Sequence, residues 1–289
     1  MTIAFLFQKN MPQETIIIDL LIIAIGIIIS LYGSIVGFGG GIFMIPVLVT
    51  IFHYDLPIAV GAMMVALLPS SLVSTFLHRK EGNVDFKVGL LLEAPTVIGV
   101  ILGSFLLTYI SAKRLEIVFA LMVVILGLTF LKNKTQNKSK KSGVFYKLNK
   151  TKPKLIIKNR VHQMAYRISI WVVLFFGLLA GSLAGLFGIG GGFLQAPIMI
   201  KGFNMPVKVA AATSLFIIVI TSITGIVSHY LQGNILLQKA WPIALGFTIG
   251  AVIGHRVNLN IKDEFVEKLI GTGLILAGLI MVSKFVMAR

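Results

Sequence analysis

Two glycine-rich stretches, SIVGFGGGIFMIP at residues 34–46 and GLFGIGGGFLQAP at residues 185–197, decide how this chain folds. Each stretch places three consecutive glycines inside an apolar run, and a proline follows five residues after the third glycine. Glycine adopts positive φ and carries no side chain, so three in a row should interrupt a helix. The two stretches therefore predict a helix break at corresponding places in two similar halves of the chain.

The two halves are related by a constant offset of 151 residues. The offset carries Gly37 onto Gly188 and, at its far end, Leu128 onto Leu279. Other pairs that it relates are Pro46 and Pro197, His78 and His229, Gly82 and Gly233, Asn83 and Asn234, Gly99 and Gly250, Gly103 and Gly254, and Glu116 and Glu267. This regularity predicts an internal duplication, with residues 1–131 and 168–289 as its two halves.

The apolar runs around the two stretches predict a membrane protein. Of the 289 residues, 57% are hydrophobic and only 12% are charged, about half the charged fraction of a soluble domain. Runs such as 15–36 and 168–187 are long enough to cross the hydrocarbon as helices, and their continuity excludes a transmembrane β-barrel. The other long runs are 57–77, 86–110, 115–131, 207–231, 240–259 and 265–287, whereas 42–52 and 193–203 are too short. The predicted fold is an all-α polytopic integral membrane protein.

The segment between the halves, residues 132–167, contains twelve Lys or Arg and no acidic residue. Basic loops of membrane proteins face the cytoplasm, so this linker is predicted to be cytoplasmic in a protein of the bacterial inner (plasma) membrane. The same bias explains the net charge of +16. We therefore expect the lipid bilayer as a partner and no nucleic acid.

The number of spans depends on the two short runs. If they are re-entrant or continue a broken helix, each half has four full spans and both termini are cytoplasmic, and we favour this arrangement. If each short run crosses the membrane, each half has five segments and the halves are inverted. The four-span arrangement has evidence against it, because it places six basic residues outside: Lys113, Arg114, Lys201, Lys208, Arg256 and Lys262.

The glycine breaks are also the strongest indication of function. Paired interruptions at equivalent positions of two membrane repeats are typical of transport sites, and the N-terminus of a half-helix suits an anion. Close helix packing is the alternative; it accounts better for the pairs Gly99–Gly103 and Gly250–Gly254, but it does not need three consecutive glycines. The candidate substrate-binding residues in the breaks are Gly37, Gly39, Gly40, Gly41, Gly188, Gly190, Gly191 and Gly192.

Polar side chains in or beside the breaks extend this candidate site. Gln195, Thr213 and Ser214 are the candidates, although a membrane Ser or Thr often only bonds a carbonyl one turn earlier. Glu93 lies inside a span, where a charged acid costs on the order of 2.5–3.5 kcal/mol. It is therefore a candidate for proton coupling, unless it stays hydrated near the surface or pairs with Lys87.

His78 and His229 are each followed four residues later by Gly-Asn. This pattern is typical of a helix end, where the dipole favours a cation and glycine supplies a left-handed cap, and we prefer that interpretation. The alternative is a proton relay. Two histidines so far apart in sequence are weak evidence for a metal, so we expect no metal site and no cofactor.

The glycine breaks with their prolines, the sequence Ala212-Thr213-Ser214 and the basic linker between similar halves resemble the TauE/SafE family of membrane permeases. The resemblance extends roughly from Ile16 to Val286. It implies export or permeation of sulfite, sulfoacetate or related sulfur-containing anions such as thiosulfate and organosulfonates. The first half departs from the pattern, with Met63 and Met64 about where the second half has Thr213 and Ser214, so equal contributions of the halves are not assured.

The expected function is secondary transport of a small anion, with no catalytic residues, by rocking of the two halves around their breaks. A membrane-embedded enzyme is the runner-up, but the sequence offers no intramembrane acid pair, metal-ligand cluster or nucleophile motif for it. A channel or assembly factor is the third candidate. ATP-driven transport by this chain alone is not expected because it has no P-loop motif. The direction of transport, the coupling ion and the oligomeric state, a homo-oligomer included, stay open.

Overall fold

The computed structural model describes residues 13–111, 113–115, 117–121, 149, 151–159, 164–258, 272 and 275. The helices with defined bounds are α1 (Gln13–Val36), α2 (Gly41–Thr50), α3 (Leu56–Lys80), α4 (Phe86–Tyr109), α5 (Ile170–Phe187), α6 (Gly192–Pro197), α7 (Val207–Leu231) and α8 (Leu237–Asn258). A π-helix, Ile198–Gly202, extends α6, and antiparallel strands β1 (Lys154–Asn159) and β2 (Met164–Ser169) precede α5. In this part of the chain, six helices (α1, α3, α4, α5, α7 and α8) are long and apolar enough to cross a membrane. The all-α polytopic membrane fold predicted from the sequence agrees with this.

Between α1 and α2, and between α5 and α6, the chain leaves the helical conformation at the glycines. Positive φ angles of 82°, 72° and 91° occur at Gly37, Gly39 and Gly40. Their equivalents Gly188, Gly190 and Gly191 have φ angles of 64°, 74° and 72°. These are conformations that only glycine adopts without strain, so the predicted helix breaks are confirmed.

Helices α3 and α7 end in the same glycine motif. Gly82 and Gly233 have φ angles of 72° and 73°. The Asn83 N–H donates to His78 O at 3.1 Å, and the Asn234 N–H donates to His229 O at 2.9 Å. A bond that reaches back across a left-handed glycine in this way ends a helix as a Schellman motif. The helix-end interpretation of both His–Gly–Asn patterns is therefore confirmed.

The long helices pack through glycines that join one half to the other. On α4, Gly99 lies against Leu178 O and Gly103 against Ser182 O of α5. The equivalent glycines of α8 lie in the same way against the carbonyls of Ile27 and Leu31 in α1. The packing interpretation of these glycine pairs is confirmed, and the first helix of each half packs against the third long helix of the other half.

Contacts at both ends of α3 give its direction relative to its neighbours. Gly61, near the start of α3, lies against Asn234 O just before α8. His78, near the end of α3, lies against His255 near the end of α8. Helices α3 and α8 are therefore parallel. Helix α1 is parallel to both, because its glycine contacts with α8 advance together along the two helices.

Helix α4 runs parallel to α7. The Asp85 N–H at the start of α4 donates to Thr213 Oγ1 at 3.0 Å, near the start of α7. Two turns further along both helices, Glu93 accepts a bond from Thr221. Helix α5 is parallel to α4 by the glycine contacts described above.

The equivalent helices α3 and α7 run antiparallel. Met64, early in α3, lies against Gly225, late in α7. Leu67 and Ile218, near the middle of the two helices, both lie 3.0 Å from the Cβ position of Gly39. The halves are therefore inverted relative to each other. The favoured arrangement of four spans in each half, which would make the halves parallel, is not what the structure has.

The reason for the inversion is the short segment in each half. Because α1 and α3 point the same way, the break at 37–40 and α2 return the chain to the end at which α1 began. The sequence left this alternative open but could not give the direction of α3. The last segment of each half, after 121 and after 258, lies outside the described residues except for 272 and 275.

The two ends of the bundle carry different connecting segments. The linker end carries the 81–85 connection and the start of α5, whereas the opposite end carries the 51–55 and 232–236 connections. Helix α1 begins at the opposite end, because it is parallel to α3. This contradicts the expectation that the N-terminal side of the chain and the linker both face the cytoplasm. The C-terminal residues fall outside the described part.

Candidate functional site

The two glycine breaks meet inside the bundle. Both breaks consist of buried residues. A Cβ on Gly41 would lie 2.8 Å from Gly188 O, and a Cβ on Gly192 would lie 2.9 Å from Gly37 O. Each break therefore touches the first glycine of the other, and the contact depends on the missing side chains.

A local two-fold axis relates the breaks. Gly39 and Gly190, which are equivalent, have the same neighbours: Leu67 of α3 and Ile218 of α7. Leu67 and Ile218 are themselves equivalent by the offset of 151 residues. The axis of the inverted repeat therefore passes between these residues, where α3 and α7 cross at mid-length.

Helices α2 and α6 begin at the breaks. Their N-cap residues, Gly40 and Gly191, have left-handed φ, and no side chain caps either helix. The first N–H groups of a helix have no partner within it, and they carry the positive end of the helix dipole. Two such N-termini thus face the region in which the breaks meet.

Polar side chains line the second break. Gln195 of α6 is 0% exposed, and its Nε2 donates to Thr96 Oγ1 of α4 at 2.7 Å. Thr96 in turn donates to Leu92 O at 2.7 Å, and its Cγ2 lies 3.8 Å from the Cβ position of Gly191. Within the described part of the chain, Gln195 Oε1 has no hydrogen-bond partner. A buried acceptor without a partner is costly, so this atom indicates a place for a hydrogen-bond donor such as a water molecule.

Glu93 lies one turn before Thr96 on the same helix. Its Oε1 accepts from Thr221 Oγ1 at 2.9 Å, whereas its Oε2 has no partner among the described residues. The side chain is 2% exposed, so it is not hydrated at the surface. The ion pairs of the described residues do not include one between Glu93 and Lys87. Glu93 is therefore neither hydrated near the surface nor paired with Lys87, so both of these explanations are wrong. Its role in proton coupling stays a prediction.

The corresponding positions around the first break are less polar. The offset places Met44 where the second break has Gln195, Phe247 where it has Thr96, and Ala244 where it has Glu93. Phe247 Cε1 lies only 3.1 Å from the Cβ position of Gly40. A ring therefore fills the space that stays more open beside Gly191.

Ser214 and Thr213 occupy different surroundings from Gln195. Ser214 Oγ lies 2.5 Å from Gly37 O and 2.8 Å from Ala211 O, so it donates to the first break although it belongs to the second half. Thr213 accepts a bond from the start of α4. The three predicted polar residues thus do not form one cluster, and their part in substrate binding stays a prediction.

The two histidines lie at opposite ends of the bundle, because α3 and α7 are antiparallel. His229 Nε2 donates to Gly185 O at 3.0 Å and so ties α7 to α5. His78, at the linker end, contacts Glu81 and His255. The two predicted proton-coupling histidines therefore do not form a common relay.

Sequence reasoning missed Thr96 as a member of the site. Its spacing from Glu93 places both on one face of α4, which is the only local signal. The signal is weak because many membrane threonines bond their own helix, as Thr96 also does.

Comparisons with known proteins give the family. A family model described as "Sulfite exporter TauE/SafE" matches residues 22–281. The probable membrane transporter protein YunE of Bacillus subtilis (strain 168) is 29% identical over 268 residues, which are 89% of this chain and 95% of that protein. A probable membrane transporter protein of Methanocaldococcus jannaschii is 25% identical, over 90% of this chain and 94% of that protein. Sulfite exporter TauE/SafE family protein 3 of Arabidopsis thaliana is 33% identical over 82 residues, 28% of this chain and 17% of that protein. No solved structure matches this chain.

Proposed function

We propose that this chain, which belongs to the sulfite exporter TauE/SafE family of membrane transporters, is a secondary transporter of a small sulfur-containing oxyanion. The candidates are sulfite, thiosulfate and small organosulfonates. The observation that carries the proposal is the meeting of the two glycine breaks on the axis of an inverted repeat. Secondary transporters typically bind substrate where discontinuous helices of inverted repeats meet.

The second break supplies the donors for an oxyanion. The N-terminus of α6 offers backbone N–H groups, and the amide of Gln195 keeps one N–H beyond the one given to Thr96. Neutral donors of this kind bind an anion without a permanent opposing charge. Such a site releases its substrate readily, as a transporter requires.

Glu93 is the group proposed to couple transport to protons. It lies one turn from Thr96 and has one carboxyl oxygen without a partner in the described part of the chain. A charged carboxylate there would repel an anion at the second break, whereas a protonated one adds a donor. Movement of the anion would then be linked to movement of a proton.

We propose further that the linker end faces the cytoplasm and that α1 begins outside. Besides the linker itself, the described basic residues at this end are Arg79, Lys80, Lys87, Lys201, Lys208 and Arg256. Those at the opposite end are Lys113, Arg114 and Lys239. The inverted arrangement places Lys201, Lys208 and Arg256 inside, which the four-span arrangement could not do.

Single cysteines would test this orientation, since the chain has none of its own. A cysteine at Asn83 should react with an impermeant thiol reagent only from the cytoplasmic side, and a cysteine at Gln232 only from outside. The reverse pattern would contradict the orientation but not the fold.

The transport proposal is tested by flux into proteoliposomes with labelled sulfite, sulfate, thiosulfate and an organosulfonate. Gly191→Leu should abolish saturable flux, because it fills the second break. Gly233→Leu is the matched control, since Gly233 has nearly the same φ, 73° against 72°, but nothing within 4 Å of its Cβ position. If no tested anion moves with the folded wild type, the assignment of sulfur anions fails; if both variants lose flux equally, backbone strain rather than the site is responsible.

A further inference from the structure

A second cluster of ionisable side chains lies at the linker end. It consists of His78 in the last turn of α3, Glu81 just after that helix, and His255 in the last turn of α8. One ligand atom from each residue can be chosen so that all three lie within 4.8 Å of one another. The histidines are 2% and 7% exposed, whereas Glu81 is exposed to solvent. The cluster therefore consists of two buried imidazole rings and one carboxylate that faces solvent.

The spacing of the two imidazoles suits a metal ion. His78 Nε2 lies 3.4 Å from His255 Nδ1. Ligands of a tetrahedral ion with bonds of about 2.0–2.1 Å are about 3.3–3.4 Å apart, so the two imidazoles are already separated as two ligands are.

The carboxylate of Glu81 contacts the other nitrogen of each ring. His78 Nδ1 lies 3.4 Å from Glu81 Oε2, and His255 Nε2 lies 3.1 Å from Glu81 Oε1. The three side chains therefore form one contiguous group of possible ligands.

We propose that His78, Glu81 and His255 bind one divalent transition-metal ion. Two imidazoles and one carboxylate are a donor set of zinc, and such sites keep a further position for water. The open side at Glu81 gives the ion access from the aqueous phase at the linker end. The expectation of no metal considered only His78 and His229; His255, which lies 177 residues from His78, supplies the second imidazole.

The ion would join the two halves of the molecule. His78 and Glu81 belong to the first half and His255 to the second, so a bound ion cross-links the ends of α3 and α8. This inference does not depend on the proposed transport. If the linker end opens during transport by separation of α3 from α8, the ion holds that end closed.

The second half provides a natural control. The offset relates His78, Glu81 and His255 to His229, Gln232 and Ser104, so the equivalent corner keeps only one of the three ligands. The Nε2 of His229 is already bonded to Gly185 O. The inverted repeat therefore predicts a single site of this kind, at the linker end.

Titration calorimetry with Zn²⁺ on the purified full chain, freed of any purification tag, tests the proposal. The wild type should bind one ion, and His78→Ala and His255→Ala should each lose at least about tenfold in affinity. His229→Ala should bind like the wild type. Absence of saturable binding by the folded wild type, or unchanged binding by the His78→Ala/His255→Ala double variant, would overturn it.

A second variant guards against loss of the fold. Glu81→Gln changes an exposed side chain, so its thermal unfolding without metal should match that of the wild type. It should nevertheless weaken Zn²⁺ binding and reduce the rise in unfolding temperature that Zn²⁺ gives the wild type. If Zn²⁺ raises the unfolding temperature of both proteins equally, the carboxylate of Glu81 is not a ligand, which would contradict the proposed site.

Discussion

The first and second glycine breaks share one backbone conformation but differ in what surrounds them. In the first, Phe247 packs against Gly40, and Met44 lies on the short helix. In the second, Thr96 and Gln195 occupy the equivalent positions and leave a buried oxygen without a partner in the described chain. Both halves therefore contain the glycine break, whereas the polar side chains are concentrated around the second one. Recognition of substrate is therefore expected at the second break, and the first break supports it.

The largest expected effect tests how tightly the breaks are packed. A Cβ at Gly37 would lie 2.5 Å from Ala211 Cα, whereas nothing comes closer than 3.7 Å at Gly191. Gly37→Ala should lower the free energy of unfolding by about 2–5 kcal/mol, from left-handed strain of about 1–2 kcal/mol plus overpacking of about 1–3 kcal/mol. Gly191→Ala should cost only the strain. Denaturant unfolding of the two purified variants measures this, and equal losses would show that the breaks are packed alike.

The second largest effect is expected from a substitution that makes the second break resemble the first. Gln195→Met removes a donor to the bound anion, and hydrogen bonds to charged groups contribute about 1.5–3 kcal/mol, so flux at low substrate should fall about 10- to 100-fold. Met44→Leu changes the equivalent residue of the first break and should leave flux nearly unchanged. Proteoliposome flux compares the two variants; similar losses in both would mean that the breaks share the substrate equally.

Glu93→Gln should have a narrower effect, because it keeps the shape and the bond from Thr221 but cannot release a proton. We expect stimulation by a pH gradient to disappear while downhill exchange of the anion continues. Flux measured with and without the gradient separates these two quantities. If the flux through Glu93→Gln still responds to the pH gradient, Glu93 does not couple transport to protons. The second break would then serve only to bind the substrate.

The smallest effect concerns the bond that ties Ser214 to the first break. Ser214→Ala leaves Gly37 O without this donor and should reduce the free energy of unfolding by about 1 kcal/mol. Ser182→Ala is the control, since this partly buried residue bonds through its hydroxyl only to Leu178 O of its own helix. Its effect should stay within about 0.5 kcal/mol. If Ser182→Ala lowers the free energy of unfolding as much as Ser214→Ala does, the bond from Ser214 to the first break contributes no more than a bond within one helix.

Local features of the fold could be predicted from the sequence because they depend on residues that are close along the chain. The glycine runs predicted the breaks, and the His–Gly–Asn patterns predicted the ends of α3 and α7. The direction of the halves could not be predicted in this way. It depends on whether a short helix returns the chain, and ten apolar residues such as those of α2 are compatible with either answer.

The site was only partly predictable for a related reason. Gln195 was identified from its position beside a break, but its partner Thr96 is 99 residues away in the sequence. Thr213 and Ser214 are adjacent in sequence, yet one bonds α4 and the other bonds the first break. Pairings between distant helices arise from packing, and a single sequence contains no record of them.

The packing of α1 on α8 has a consequence for how the protein is made. Helix α1 begins at Gln13 and α8 at Leu237, so more than 200 residues are synthesised between these partners. At about 5–20 residues per second, α1 leaves the ribosome at least about 10 s before the helix that covers its glycine-facing side. During that time α1 must rest against lipid or the insertion machinery. Helix α8, from the second half, is thus the helix that completes the packing around α1.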